Sequence, residues 1–193
     1  MNQLLTSQKI ISASLLRLRI RSPFFATLAL FAKFIPTQTI TTAATDGKDI
    51  FYNPDFLQSL TTPQQDGLLL HEVLHAALLH VLRRGVRDKQ TWNIVADIVV
   101  NGIIYQQGCF ELPEGGIRDT KLEHLSVEEI YELLQQQDKC DYCLGNFDLL
   151  EISPLAGKGS NKTSGSGEEL DSLSEAKKAE LESHWQNAMS KQR

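Results

Sequence analysis

The first forty residues contain two apolar stretches with helix-like spacing. Leucine and isoleucine side chains between residues 4 and 20 repeat with a period close to that of an α-helix. Pro23 interrupts this pattern and suits the first turn of a second helix, which we expect to end at Pro36. The pattern therefore predicts two consecutive helices in this part of the chain.

A different pattern follows, rich in threonine and isoleucine. Residues 37–44 and 49–52 carry the β-branched and aromatic side chains that are typical of strands, and Asp46-Gly47 lies between them. Glycine accepts the positive φ that tight hairpin turns require. These residues predict a β-hairpin.

The longest apolar run lies in the middle of the chain and predicts one long helix. It begins near Pro63, where Thr61 or Thr62 can cap it, and continues through Arg84 until Gly85 ends it. The run contains neither proline nor glycine from residue 68 to residue 84, so we expect the helix to be continuous.

Two further helices are predicted after a polar loop at residues 89–91. Residues 92–105 are apolar except at Asn93, Asp97 and Asn101, which recur four apart and therefore share one helical face. Ser126 and Glu129 form a capping box that opens a short helix over residues 127–136.

These elements predict an α+β fold that is mostly helical, with a small hairpin or sheet beside the long central helix. We expect one globular domain over residues 1–150. Residues 151–169 are rich in glycine and serine and predict a flexible linker, and residues 170–193 form a helical tail leading toward a second domain.

Composition narrows the possible functions. The chain has 193 residues, is 41% hydrophobic and carries a formal charge of −5, which argues against nucleic acid as a partner. The apolar run at residues 24–32 is too short to span a bilayer, and arginines at residues 17–21 stand where a signal peptide needs apolar residues. Three cysteines suit a reducing compartment, so we expect a cytoplasmic protein without a membrane span.

The candidate chemistry lies in the long helix, where His71, Glu72 and His75 match the HExxH pattern. Residues four apart lie about 40° apart around a helix, so both imidazoles face the same way and can bind one zinc ion. The glutamate beside the first histidine can act as general base toward a zinc-activated water. Two histidines on an apolar helix could instead be hydrogen-bonded core residues.

A catalytic zinc site needs a third protein ligand, and two residues compete for this role. Asp97 is acidic within an apolar helix, where an unpaired carboxylate would be costly to bury, so a cation nearby would explain it. It could instead cap a loop or pair with an arginine. His80 would lie on the opposite side of a continuous helix from His71, so we interpret it as a supporting or core histidine. Asn93 and Asn101 could hydrogen-bond the ligands.

Cys140 and Cys143 form a lone CxxC, which is half of a zinc knuckle. Cys109 is a possible but remote third thiolate, and free thiols are the simpler interpretation.

Several motifs occur together in one order: TDGKDIFYNPDF, LLLHEVLHAALLHVLRRGVRD, WNIVADIVVN and LSVEEIYELL. In these motifs and their order, residues 8–136 resemble a bacterial metallopeptidase domain that is found N-terminal to a von Willebrand A-like domain. The resemblance implies a minimal zincin with His71, His75 and Asp97 on zinc and Glu72 as base. It also implies a MoxR-type AAA ATPase as a partner, and a sheet edge, from residues 40–44 or 50–52, that pairs with peptide substrate.

The sequence thus predicts a zinc-dependent metallopeptidase that hydrolyses peptide bonds. The alternative is a non-catalytic module with structural zinc that serves an AAA ATPase or a von Willebrand A-like protein. A fourth protein ligand that closes the metal site would favour the alternative. Deformylation is less favoured, because deformylases take a cysteine ligand upstream of HExxH and none precedes His71 here.

Overall fold

The structure, a computed structural model, describes residues 2–136, 148–150 and 167–191. Its fold is α+β, as the sequence predicts. Within these residues, helices surround a small three-stranded sheet. In chain order the elements are α1 (Asn2–Arg21), α2 (Pro23–Ala29), β1 (Lys33–Pro36), β2 (Ala43–Thr45), β3 (Asp49–Tyr52), α3 (Pro54–Ser59), α4 (Thr62–Ala77), α5 (His80–Arg83), α6 (Lys89–Gln106), α7 (Val127–Gln136) and α8 (Gly167–Ser190).

The predicted hairpin is present and consists of β2 and β3, which pair antiparallel. Asp46 shapes its turn, since its Oδ1 accepts hydrogen bonds from the backbone N–H groups of Lys48 and Asp49 at 2.9 and 2.8 Å. Gly47 has a φ of 97°, which favours glycine. Of the first strand expected at residues 37–44, only Ala43 and Ala44 belong to β2, which ends at Thr45.

One predicted boundary is wrong, because Pro36 ends a strand instead of a helix. Helix α2 already stops at Ala29, and β1 pairs with β3 in parallel, giving the sheet order β1-β3-β2. Proline is tolerated in β1 because this strand lies at an edge of the sheet. Since β3 is the central strand, residues 50–52 cannot offer the open edge that a peptide would need.

Helix α4 forms the centre of the core. Every residue from Gln65 to Ala77 is buried, and the helix packs against α1, α2, α6 and the sheet. Its buried Asp66 is held by Arg17 of α1, whose Nη2 and Nε lie 2.7 and 2.8 Å from the two carboxylate oxygens. This ion pair fixes α1 against the N-terminal half of α4.

The predicted long helix is broken after Ala77. Leu79 has a φ of 58° in the left-handed region, and α5 starts at His80 in a new direction. Leucine has no local signal for this conformation, so the break reflects tertiary packing. It brings the His80 ring back toward α4, which a continuous helix would not do.

The predicted polar loop at residues 89–91 is instead the first turn of α6. Asp88 caps this helix, because its Oδ1 accepts a hydrogen bond from the Thr91 N–H at 2.8 Å. The capping box of α7 is confirmed, since Glu129 accepts from the Ser126 N–H at 2.8 Å.

The connection from α6 to α7 crosses directly over α4 at Gly67. A β-carbon at this position would lie 1.9 Å from the backbone oxygen of Glu111, so only glycine permits the crossing. The crossing sets residues 112–117 along one side of the site described below.

Helix α8 packs on the same core as the N-terminal helices. Trp185 is fully buried and donates a hydrogen bond from Nε1 to the Gly47 backbone oxygen at 2.7 Å. His184 Nε2 lies 2.9 Å from the Phe31 backbone oxygen. Residues 151–166 of the expected linker lie outside the described residues, and the division into domain, linker and tail stays a prediction.

Among the described residues, no helix combines the length and the apolar character needed to cross a membrane.

We expect Trp185→Ala to lower the free energy of unfolding by roughly 3–5 kcal/mol, because it removes a fully buried indole and leaves a cavity under the hairpin turn. Urea unfolding followed by circular dichroism measures this change. Met189→Ala on the same helix is the control; its side chain is 44% exposed, and we expect a loss below about 1 kcal/mol. Equal losses in the two variants would show that α8 is not anchored by Trp185.

Candidate metal centre

The two histidines of the HExxH pattern lie side by side on α4, as their spacing predicts. The Nε2 atoms of His71 and His75 are 2.9 Å apart, and both rings are buried. Their second ring nitrogens point to other partners, which leaves both Nε2 atoms directed at one point.

Asp97 reaches the same point from α6, which packs against α4. Its Oδ1 lies 3.1 Å from His75 Nε2 and 3.7 Å from His71 Nε2. The residue is 5% exposed. The structure thus brings together the three residues that the sequence suggested as ligands.

Asp148 is a fourth member of this cluster that the sequence analysis missed. Its Oδ2 lies 3.4 Å from His71 Nε2. The residue belongs to no motif, and only its acidic character beside apolar Phe147, Leu149 and Leu150 could have indicated it. The same signal, a carboxylate set among apolar residues, had suggested Asp97.

The four side chains lie close enough together to share one metal ion. Each offers one donor atom, and the four atoms lie within 4.8 Å of one another. Ligands held tetrahedrally at about 2.0–2.2 Å from zinc are roughly 3.3–3.6 Å apart. Four of the separations between donor atoms are 2.9, 3.1, 3.4 and 3.7 Å, which lie around that range. Imidazole and carboxylate donors both suit zinc.

Asn101 of α6 orients the first histidine. The Nδ1–H of His71 donates to Asn101 Oδ1 over 2.9 Å, provided that Nε2 is the unprotonated nitrogen. The Asn101 amide is itself fixed, because its Nδ2 donates to the Ile117 backbone oxygen at 2.6 Å. This arrangement selects the tautomer of His71 that can bind a metal through Nε2.

His80 lies beside the second histidine because of the chain reversal at Leu79. Its Nδ1 is 3.0 Å from His75 Nδ1, and its backbone oxygen accepts a hydrogen bond from Trp92 Nε1 at 2.8 Å. A metal on His75 Nε2 requires the proton on His75 Nδ1, so His80 must then accept at its own Nδ1. His80 therefore contacts His75 at Nδ1, whereas the donor atom that His75 offers to the cluster is Nε2.

Asn93 connects the two aspartates. Its Oδ1 accepts hydrogen bonds from the backbone N–H groups of Asp148 and Leu149 at 3.2 and 3.1 Å. Its Nδ2 lies 3.4 Å from Asp97 Oδ2, which makes a long hydrogen bond. One buried amide therefore positions both acidic residues.

The electrostatics of the cluster favour a cation at its centre. Burial lowers the pKa of His71, but its hydrogen bond to Asp148 and the charge of Asp97 outweigh burial and raise that pKa to about 10. Burial raises the pKa of Asp97 to about 7, although the charge of His71 opposes this. Burial and the positive charge of His71 lower the pKa of His75 well below its usual range. A divalent ion would replace the His71 proton as the balancing charge.

Glu72 stands beside the cluster without a partner. It is 1% exposed, and neither carboxylate oxygen has a hydrogen-bond partner among the residues that the structure describes. Burial, followed by the charge of Asp148, raises the pKa of Glu72 well above its usual value. Such a group is costly to bury unless something outside the protein chain interacts with it.

A cavity of about 150 Å³ opens in front of these groups. Glu72, His71 and Asp97 line its floor, the loop at residues 112–117 lines one wall, and Phe56 contributes an apolar surface. The cavity gives an external molecule access to the cluster and to Glu72.

The cysteines do not contribute to the cluster within the described residues. Cys109 is half-buried and is not a member of the group of donors. Cys140 and Cys143 lie outside the described residues.

Comparison with known proteins gives one family and one relative. The model of a family described as "Putative metallopeptidase domain" matches residues 6–192. A Thermotoga maritima protein described as "Uncharacterized protein" is 25% identical over 113 residues, which are 55% of this chain and 28% of that protein. The chain thus corresponds to a minor part of that relative's length. No solved structure matches the chain.

We expect the purified protein to contain about one equivalent of a divalent metal, and His71→Ala and Asp97→Ala each to lose most of it, because each removes a donor from a single site. Elemental analysis by mass spectrometry measures the content and identifies the metal. His124→Ala, which removes an exposed histidine, is the control and should keep the metal. Full metal content in Asp97→Ala would exclude that carboxylate as a ligand.

Proposed function

Because the chain belongs to this metallopeptidase-domain family, we propose that it is a zinc-dependent peptidase in which Glu72 is the general base. The proposal assigns His71, His75 and Asp97 as the zinc ligands. It takes a peptide or protein as the substrate.

The buried, unpartnered Glu72 is the observation that carries the proposal. A zinc ion that only stabilised the fold would need its ligands, but it would not need a further carboxylate with two unsatisfied oxygens. Leaving such a group buried costs on the order of a few kcal/mol, so it would be expected at a site where it has a chemical role. Its position next to His71 and on the cavity floor supports that role.

The donor set fits zinc on the grounds of spacing and chemistry given above. When bound, the ion lowers the pKa of a coordinated water toward about 7 and polarises a substrate carbonyl. Burial, followed by the charge of Asp148, raises the pKa of Glu72, so this carboxylate holds a proton more strongly than an exposed glutamate does.

The protein's own groups then perform the remaining steps. Glu72 accepts a proton from the attacking water and delivers it to the nitrogen of the leaving amine. Asn101 and His80 keep the two imidazoles in the tautomers that present Nε2. The cavity holds the peptide carbonyl near the cluster while burial on the α4 side limits access of bulk water.

A second candidate is a structural-zinc module that binds other proteins. Asp148 favours it, because a fourth protein donor near His71 resembles the closed coordination of structural zinc. In either case a MoxR-type AAA ATPase and a von Willebrand A-like domain are proposed as partners, and the cytoplasm as the location. These three assignments rest on the resemblance and on the composition.

We expect Glu72→Gln to reduce peptide hydrolysis by roughly 10²–10⁴-fold, because glutamine cannot accept the proton from water. The metal content should stay unchanged, since Glu72 is not among the four donors. The measurement is the cleavage of a mixed library of fluorescence-quenched peptides by zinc-loaded protein, with elemental analysis of the same samples.

Glu182→Gln provides the matched control, because it makes the same substitution on an exposed position of α8. It should hydrolyse peptides at the rate of the unaltered protein. Hydrolysis by the Glu72 variant at an undiminished rate would refute the general-base role and leave the structural-zinc module as the better interpretation.

A further inference from the structure

We propose that residues 148–150 occupy the peptide-binding edge of the sheet as an internal substitute for substrate, with Asp148 filling the fourth position of the metal site. This inference rests on the proposed function and specifies its substrate surface. In the conformation described above, the sheet edge and the fourth metal position are then already occupied, although the cavity is open to small molecules, and an extended peptide must displace this segment.

The backbone contacts identify the segment as an added strand. Thr45 of β2 donates its N–H to the Asp148 oxygen at 2.8 Å and accepts from the Leu150 N–H at 2.9 Å. This is a parallel bridge between Thr45 and Leu149. Strand addition of this kind is how extended peptides bind exposed sheet edges.

The location of this edge connects it to the chemistry. Strand β2 packs against α4, the helix that carries His71 and Glu72. Thr42, immediately before β2, lines the cavity together with Glu72. A peptide paired with Thr45 would therefore pass the metal site, as residues 148–150 do now.

The side chains of the segment act as those of a bound ligand would. The Asp148 carboxylate reaches within 3.4 Å of His71 Nε2, and Leu149 is 4% exposed in an apolar socket within the buried cluster that includes Trp92 and Val95. Asn93 accepts from both of their backbone N–H groups. An external peptide has the same backbone groups to offer Thr45 and Asn93, and an apolar residue would fill the Leu149 socket.

Two differences distinguish Asp148 from Asp97 as a metal donor. Asp97 is set on a central helix and has an exposed side-chain fraction of 7%, whereas Asp148 is held by a short bridged segment and has a fraction of 19%. Both carboxylates line the cavity. The greater exposure of Asp148 makes it the donor that a water or a substrate carbonyl would more readily replace.

The proposal is tested by measuring how tightly an external ligand binds the metal in the full chain, with cobalt(II) in place of zinc. Acetohydroxamic acid is added to the unaltered protein, to Asp148→Ala and to Asp148→Asn, and the visible absorption of cobalt is titrated. We expect both variants to bind the hydroxamate at least tenfold more tightly than the unaltered protein, and to retain cobalt. Asp55→Asn, which changes an exposed aspartate in α3, should match the unaltered protein.

The same variants are assayed on the peptide library, where we expect at least a tenfold increase in hydrolysis. The Asn variant preserves side-chain volume, so it remains informative if the Ala variant does not fold. Hydroxamate binding equal to that of the unaltered protein, or loss of the metal as complete as in Asp97→Ala, would overturn the closing role. Because the hydroxamate titration requires no turnover, it can fail while the Glu72→Gln assay succeeds, and the reverse also holds.

Discussion

The structure depends on placing several acidic and imidazole groups in a region almost without solvent. His71, His75, Asp97 and Glu72 are all at least nine-tenths buried, and Asp148 adds a further carboxylate. In a medium of low polarity, carboxylates repel each other strongly unless a positive charge lies between them. The asparagine contacts and the parallel bridge bring these groups to one point, where a bound cation would supply the positive charge that makes the arrangement favourable.

Separate elements of the core position the donor side chains of the cluster. Helix α4 supplies both imidazoles and is fixed by the buried pair of Arg17 and Asp66. Helix α6 supplies one carboxylate and the two asparagines, whose amides link the histidine and aspartate contacts. The sheet edge supplies the remaining carboxylate through Thr45. The four donor atoms therefore come from three separately packed elements, which are α4, α6 and the segment bridged to the sheet edge.

The sequence was most informative where the relevant signal was local. His71 and His75 are one helical turn apart, so helical periodicity predicts that they share a face, and Asp97 was indicated by the cost of burying an unpaired carboxylate. Strand β1, the left-handed Leu79 and the contact of Asp148 depend on residues distant in the chain. Leucine at a positive φ and a strand ending in proline contradict local preference, so tertiary packing must decide them. The contact of His80 with His75 follows from the break at Leu79, which the continuous helix expected from the sequence did not include.

The wide separation of the donors along the chain has a consequence for how the protein matures. The two histidines can come together as soon as α4 forms, and Asp97 joins when α6 folds back on it. Asp148 can arrive only after the chain closes a much longer loop, which is entropically slower to form. The affinity for a divalent ion would therefore grow in stages during folding, with Asp148 as the last donor to arrive.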